Sequence, residues 1–283
     1  MLNLPSPGLR ARVALDKHGF RTTHSLGQNF LLDDVFLTNL LDSAGVGEGD
    51  NVLEIGPGAG VMTALMAQRA KKVLAVEIDE KLRPVLGDVL SPYPNAEVEF
   101  CDFMKSDVDV LTKRAFGDEP YRVVANLPYY ITADILLRLT ACRNLPSDIA
   151  IMVLKEAAER LMSNPGSKNW CALAATIRYF GDCEVLEEVP PSYFNPPPHV
   201  DSCFVQISMH EKRLLEGEAE QKLLKLIKWC FHMRRKTLVN NLKACCGIKQ
   251  EDAVAALEKA GLAPQVRGEA LTLEEMVCLS ELL

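Results

Sequence analysis

The most constraining feature of this chain is a strand, turn, helix and strand run together between residues 50 and 77. Residues 50–55 (Asp-Asn-Val-Leu-Glu-Ile) form a short apolar run that reads as a buried strand. Gly56-Pro57-Gly58-Ala59-Gly60 follows at once, and 61–68 reads as a helix. A second apolar strand over 72–76 ends on Glu77, 21 positions beyond Gly56. Parallel strands joined through a helix are buried on both faces, so the unit demands an α/β domain. A glycine turn between strand and helix lets a ligand approach the backbone closely. A carboxylate ending the second strand stands where ribose hydroxyls are held. The unit therefore indicates a nucleoside. It argues against a dinucleotide, because Gly56, Gly58 and Gly60 spell G-x-G-x-G and Val61 stands where a third fingerprint glycine would fall.

Later strand ends extend the series. Residues 96–100 alternate in polarity and deliver Asp102, which can accept from an adenine amine while an apolar neighbour covers the ring. Residues 121–125 form another apolar strand, followed by Asn126-Leu127-Pro128-Tyr129-Tyr130 and a helix over 131–139. In open α/β sheets ligands sit at the carboxyl ends of strands. Gly56, Glu77, Asp102 and Asn126 occupy four such ends. The Asn126 amide oxygen accepts from an exocyclic amine, Pro128 stiffens the loop, and Tyr129 offers a face for a base. Together they suit a flat ring bearing an amine.

The remaining elements are a strand at 148–154, helices at 155–162 and 170–180, and strands at 184–189 and 200–207. Residues 190–198 are too proline-rich for regular structure and read as a stiff loop that presents Phe194 outward. Near the start, a helix over 9–17 precedes the amide-rich loop Gly27-Gln28-Asn29-Phe30-Leu31, and Asp33 or Asp34 caps a helix over 35–41. Residues 211–220 are a charged, glycine-broken linker; beyond it, 223–232, 235–245, 250–259 and 272–282 all read as helices. Two domains are expected, a catalytic domain of residues 1–210 and a helical domain of residues 211–283.

A net charge of -7 opposes a nucleic-acid partner at first sight, but the charge is segregated. From Lys222 to Gln250 there are eight basic residues, among them Lys222, Lys225, Lys228, Arg234, Arg235 and Lys236, and no Asp or Glu. The first 32 residues add Arg10, Arg12, Lys17 and Arg21 against Asp16 alone. Such segregation makes one face attractive to phosphate. The nine cysteines include no C-x-x-C pair, which favours reduced thiols over disulfides or zinc. With no apolar run long enough for a membrane helix and no signal-like start, a cytoplasmic location without membrane contact is expected.

Several motifs together resemble the KsgA family of ribosomal RNA adenine dimethyltransferases. They are Gly27-Gln28-Asn29-Phe30-Leu31, Glu54-Ile55-Gly56-Pro57-Gly58-Ala59-Gly60, Asn126-Leu127-Pro128-Tyr129, and Phe194-Asn195-Pro196-Pro197-Pro198-His199-Val200-Asp201-Ser202. Arg234-Arg235-Lys236-Thr237-Leu238 with Asn240-Asn241-Leu242 favours this family over the related Erm resistance enzymes. The resemblance implies a Rossmann-like S-adenosylmethionine-dependent methyltransferase fold, a seven-stranded, mostly parallel sheet with a small all-helical C-terminal domain. It implies that Asn29, Leu31, Gly56, Glu77, Asp102 and Asn126 bind S-adenosylmethionine, with no metal. Asn126, Leu127, Tyr129 and Phe194 would then hold the target adenine. The partner would be 16S ribosomal RNA in the small subunit or its precursor, met by a monomer and held through the basic stretch. The alternatives are Erm-type methylation of large-subunit RNA and a non-catalytic nucleic-acid-binding protein on the same fold. Thr23-His24 and Trp170-Cys171 depart from the family pattern, which bears on RNA affinity rather than chemistry.

Overall fold

A computed structural model describes residues 4–21 and 28–283. Thr23, His24 and Gly27, named above, lie outside the described residues. In chain order the first elements are α1 (Pro7–Lys17), β1 (Phe30–Leu31), α2 (Asp34–Ser43), β2 (Asn51–Ile55), α3 (Val61–Ala67), β3 (Lys72–Glu77), α4 (Arg83–Leu90), β4 (Ala96–Phe100) and α5 (Val108–Phe116). They are followed by β5 (Arg122–Asn126), α6 (Thr132–Leu139), β6 (Asp148–Leu154), α7 (Lys155–Leu161), α8 (Ala172–Phe180), β7 (Gly181–Val189), β8 (Phe194–Asn195) and β9 (Ser202–Met209). The last helices are α9 (Gly217–Cys230), α10 (Leu238–Cys246), α11 (Gln250–Lys259) and α12 (Leu273–Leu282). Two compact units emerge, Met1–Ala158 with Glu184–Met209, and Glu159–Cys183 with His210–Leu283.

The main sheet has seven strands in the order β4-β3-β2-β5-β6-β9-β7, as the resemblance implies. β2 pairs in parallel with β3 and β5, β3 with β4, and β5 with β6, whereas β9 runs antiparallel to β6. The order reverses at β2. The chain moves outward through β3 to β4 and then returns to β5 on the other side. This reversal opens a crevice at the carboxyl ends of β2 and β5, where ligands bind in open α/β sheets. β2 is buried along its whole length and α3 along every residue, which is why their sequences are apolar rather than alternating.

Position is locked from the opposite end of the sheet by Arg122. Its guanidinium donates to the Ala44 and Gly45 carbonyls beyond α2 at 2.9 and 2.7 Å, to Asp50 at 2.9 Å and to Asp148 at 2.8 Å. One buried cation thus ties together a helix terminus and the beginnings of three strands.

Several boundaries differ from expectation for local reasons. The proline-rich loop holds a two-residue strand: β8 pairs antiparallel with β1, placing Leu31 opposite Phe194 and Phe30 opposite Asn195. The linker is partly helical, since α9 begins at Gly217 and carries Glu218 and Glu220 in its first turn, where the helix dipole favours acids. The next helix begins later than expected, at Leu238, because Thr237 caps it by accepting from the Asn240 N–H. At α12, Thr272 and Glu275 form a reciprocal capping box. Thr272→Ala is expected to lower stability by about 1 kcal/mol, read as a fall of about 2–4 °C in thermal midpoint. An unchanged midpoint would mean that water satisfies that helix end equally well.

Candidate active site

The crevice is a cavity lined by 28–31, by the ends of β2, β3 and β4, and by the loop after β5. Gly56, Glu77, Asp102, Asn29, Leu31, Asn126, Leu127 and Tyr129 all line it. The glycine turn forms its floor. Gly56, Gly58 and Gly60 all have positive φ, and a Cβ on Gly60 would stand 2.8 Å from Leu86, so only glycine lets α3 begin there without strain.

Glu77 is 5% exposed. Its carboxylate accepts from the Asp79 and Gly58 N–H groups at 2.8 and 3.2 Å, while burial raises its pKa. Asp102 is more open. It accepts from the Met104 N–H at 3.0 Å and pairs with Lys105 at 3.0 Å, and Lys105 holds its pKa below the usual carboxylate range. Asp102 is therefore a standing acceptor, suited to an exocyclic amine.

At the mouth, the Asn126 side-chain amide donates to the Asn29 carbonyl at 3.0 Å. With its nitrogen committed, the amide presents its oxygen as an acceptor. The Tyr129 hydroxyl and Ser202 Oγ share a hydrogen bond of 2.6 Å, and burial raises the Tyr129 pKa, so the phenol stays neutral at ordinary pH. Tyr130, 62% exposed, lines the same mouth.

Phe194 is placed differently from expectation. It is 4% exposed, belongs to the hydrophobic core and does not line the cavity. Pairing of β8 with β1 draws it inward behind Leu31, while neighbouring Tyr193 stacks on Phe36 with centroids 3.7 Å apart.

The basic residues lie on the helical unit. Lys222, Lys225 and Lys228 are exposed on α9, and Arg235 and Lys236 are exposed in the turn before α10. Arg234 is already engaged, donating to Glu269 at 2.9 Å and to the Lys168 carbonyl at 3.0 Å. Near the N-terminus, Arg10 bonds the Tyr93 hydroxyl and Lys17 pairs with Asp88, so part of that positive charge is spent within the fold. Among the described residues, no cluster of three His, Cys, Asp or Glu could hold a metal ion, and no helix is long and apolar enough to cross a membrane. None of the nine cysteines is joined in a disulfide.

Glu54 is a site residue that the strand-end pattern alone does not name. It lines the cavity at 0% exposure, and neither carboxylate oxygen has a hydrogen-bond partner. A signal for it exists, since it is the one charged residue in the otherwise apolar run Val52-Leu53-Glu54-Ile55.

The sequence profile of the family described as "Ribosomal RNA adenine dimethylase" matches residues 19–283. "Ribosomal RNA small subunit methyltransferase A" of Ligilactobacillus salivarius is 41% identical over 280 residues, 97% of this chain and 94% of that protein. Its counterpart of the same name in Shouchella clausii is 40% identical over 279 residues, again 97% of this chain and 94% of the relative. Among solved structures, a dimethyladenosine transferase from Plasmodium falciparum superposes with a TM-score of 0.72 at 26% identity, covering 87% of this chain and 94% of that one. The 23S rRNA methyltransferase ErmE gives 0.67 at 27% identity, covering 90% and 99%.

Proposed function

This chain belongs to the ribosomal RNA adenine dimethylase family, and from that premise we propose that it dimethylates the N6 amines of two adjacent adenosines in the 3′-terminal hairpin of 16S ribosomal RNA. S-adenosylmethionine is the donor, and the modification is a step in small-subunit biogenesis. The protein acts as a cytoplasmic monomer, with residues 1–210 catalytic and residues 211–283 positioning RNA.

One observation carries the reading. The Asn126 amide is tethered through its nitrogen to Asn29, leaving an acceptor oxygen at the mouth of a cavity that offers Glu77 for a ribose and Asp102 for an adenine amine. The cavity suits the donor, because its lining combines apolar side chains with three carboxyls and contains no Lys, Arg or His among the described residues. Bound S-adenosylmethionine supplies an electrophilic methyl group.

The rest of the chemistry falls to this chain. The N6 lone pair of adenine is delocalised into the ring and is a weak nucleophile until the amine becomes pyramidal. The Asn126 oxygen and the Leu127 carbonyl each accept one N6 hydrogen, holding the amine pyramidal with its lone pair directed into the cavity. Once a fourth substituent is attached, the extra N6 proton is acidic and leaves without a dedicated base. Tyr129, fixed by Ser202, gives the flipped base a stacking face that contributes about 1–3 kcal/mol, against an unstacking cost of a few kcal/mol. Phe194 acts from beneath, holding the β1–β8 pair and with it Leu31 and the neighbouring Asn29 carbonyl.

Lys222, Lys225 and Lys228 hold RNA phosphates and orient the substrate without reading its bases. Replacing all three by alanine is expected to flatten the log–log salt dependence of RNA binding by about 2–3. An unchanged slope removes this face of α9 from the interface. Arg234→Ala should instead weaken the helical unit, because its partners are Glu269 and the Lys168 carbonyl.

The deciding experiment is transfer of labelled methyl groups to separated small and large ribosomal subunits that lack these modifications, followed by mapping of the labelled adenosines. Label confined to the small-subunit hairpin supports the proposal. Large-subunit label would favour Erm-type methylation, and RNA binding without transfer would favour a non-catalytic role.

A further inference from the structure

Three carboxyls line the cavity, and they are not equally provided for. Asp102 has Lys105 and the Met104 N–H; Glu77 has the N–H groups of Gly58 and Asp79. Glu54 has no cation, and the Thr63 hydroxyl near it makes no well-formed hydrogen bond to either oxygen, although the carboxyl is fully buried at the penultimate position of β2, directly below the glycine turn. Unmet acceptors of this kind are costly, and an unpaired buried charge costs far more. A group so placed is satisfied either by staying neutral or by a cation that arrives with a ligand.

The groups around it fit that demand. Burial raises the Glu54 pKa most; α3 presents only the Thr63 hydroxyl, which opposes that rise, and β3 presents Glu77, a second acid that adds to it. The end of β4 brings Asp102 and Cys101 to the same cavity, and the loop after β5 brings Asn126, Tyr129 and Tyr130. No basic side chain faces the site from any of these elements among the described residues.

We propose that Glu54 reads the charge of the bound cofactor: its carboxyl is protonated in the free protein and ionises against a cationic group of the ligand, expelling one proton to solvent. The step balances, since the carboxyl O–H is the only bond broken and the ligand's positive charge compensates the carboxylate formed. Desolvation pushes the carboxyl up to about 8, so that it enters the binding step protonated at neutral pH. S-adenosylmethionine carries two cationic groups, a sulfonium and an α-ammonium, and either serves the same chemistry. The inference rests on the cofactor reading given above.

The sign of the linkage follows directly. Binding releases a proton, so affinity rises with pH below the free carboxyl's pKa and levels off above it.

The test is calorimetric titration of the full chain with S-adenosylmethionine in two buffers of different protonation enthalpy. Release of about 0.9 proton per ligand is expected at pH 7, with affinity rising about tenfold from pH 6 to pH 7. Glu54→Gln, which mimics the neutral carboxyl, should abolish the release and flatten the pH dependence. Two further ligands separate the cations. S-adenosylhomocysteine lacks the sulfonium, and methylthioadenosine lacks both charges. Release with the first two ligands but not the third assigns the ammonium, and release with S-adenosylmethionine alone assigns the sulfonium. Binding without proton release, release with all three ligands, or release that survives Glu54→Gln overturns the inference and leaves the proposed function standing. Failure of S-adenosylmethionine to bind at all removes both.

Discussion

Asn126→Ala is expected to slow methyl transfer to small-subunit RNA by about a hundredfold, the loss that misplacement of a reacting group by roughly 1 Å produces. Affinity for S-adenosylmethionine should fall only a few fold, because Gly56, Glu77 and Asp102 keep their places. The split arises because Asn126 has two jobs at one amide. Its nitrogen is bound to the Asn29 carbonyl, which leaves its oxygen as the group available to accept. Alanine removes the acceptor and also frees the 28–31 segment. Asn126→Asp is the sharper control, since it keeps the size but has no N–H for Asn29 and adds charge to an acidic cavity. Single-turnover transfer with labelled donor measures the chemical step apart from RNA release. Full activity in Asn126→Ala would sink the mechanism.

Arg122→Met should remove about 3–5 kcal/mol of stability. The guanidinium is buried and, among the described residues, is the only cation paired with the Asp148 carboxylate, itself buried at the base of β6, while its other N–H groups hold Asp50 and two carbonyls after α2. Methionine fills similar volume without donors, so Asp148 is left as an unpaired buried anion. Denaturant unfolding reads the effect as a lower midpoint at unchanged slope. Replacing Asp148 by leucine in the same chain should return part of the loss, since an apolar pair costs less than a stranded charge. A loss below about 1 kcal/mol would show that the cluster behaves as a solvated surface pair.

Much of this architecture was legible beforehand because it is local. The apolar runs at β2, β3, β5 and β6 are continuous since both sheet faces are covered, and that pattern is visible without coordinates. The capping box at Thr272 and the Asp33 cap, whose side chain accepts from the Phe36 N–H, are short-range hydrogen bonds written in adjacent residues. The blurred boundaries were those set at a distance. Phe194 and Asn195 become a strand only because Phe30 and Leu31 lie beside them, some 165 residues earlier in the chain.

The site divides along the same line. Residue type and position at strand ends are enough to name Gly56, Glu77, Asp102 and Asn126, because a parallel sheet brings its carboxyl ends to one edge whatever the intervening lengths. Hydrogen-bond direction and burial need the folded chain. That Asn126 spends its nitrogen on Asn29, that Arg234 is occupied by Glu269, that Phe194 is turned into the core and that Glu54 is left without a partner all depend on residues far apart in sequence. Periodicity records which face an element buries; it carries no record of which atom across the cavity has already been taken.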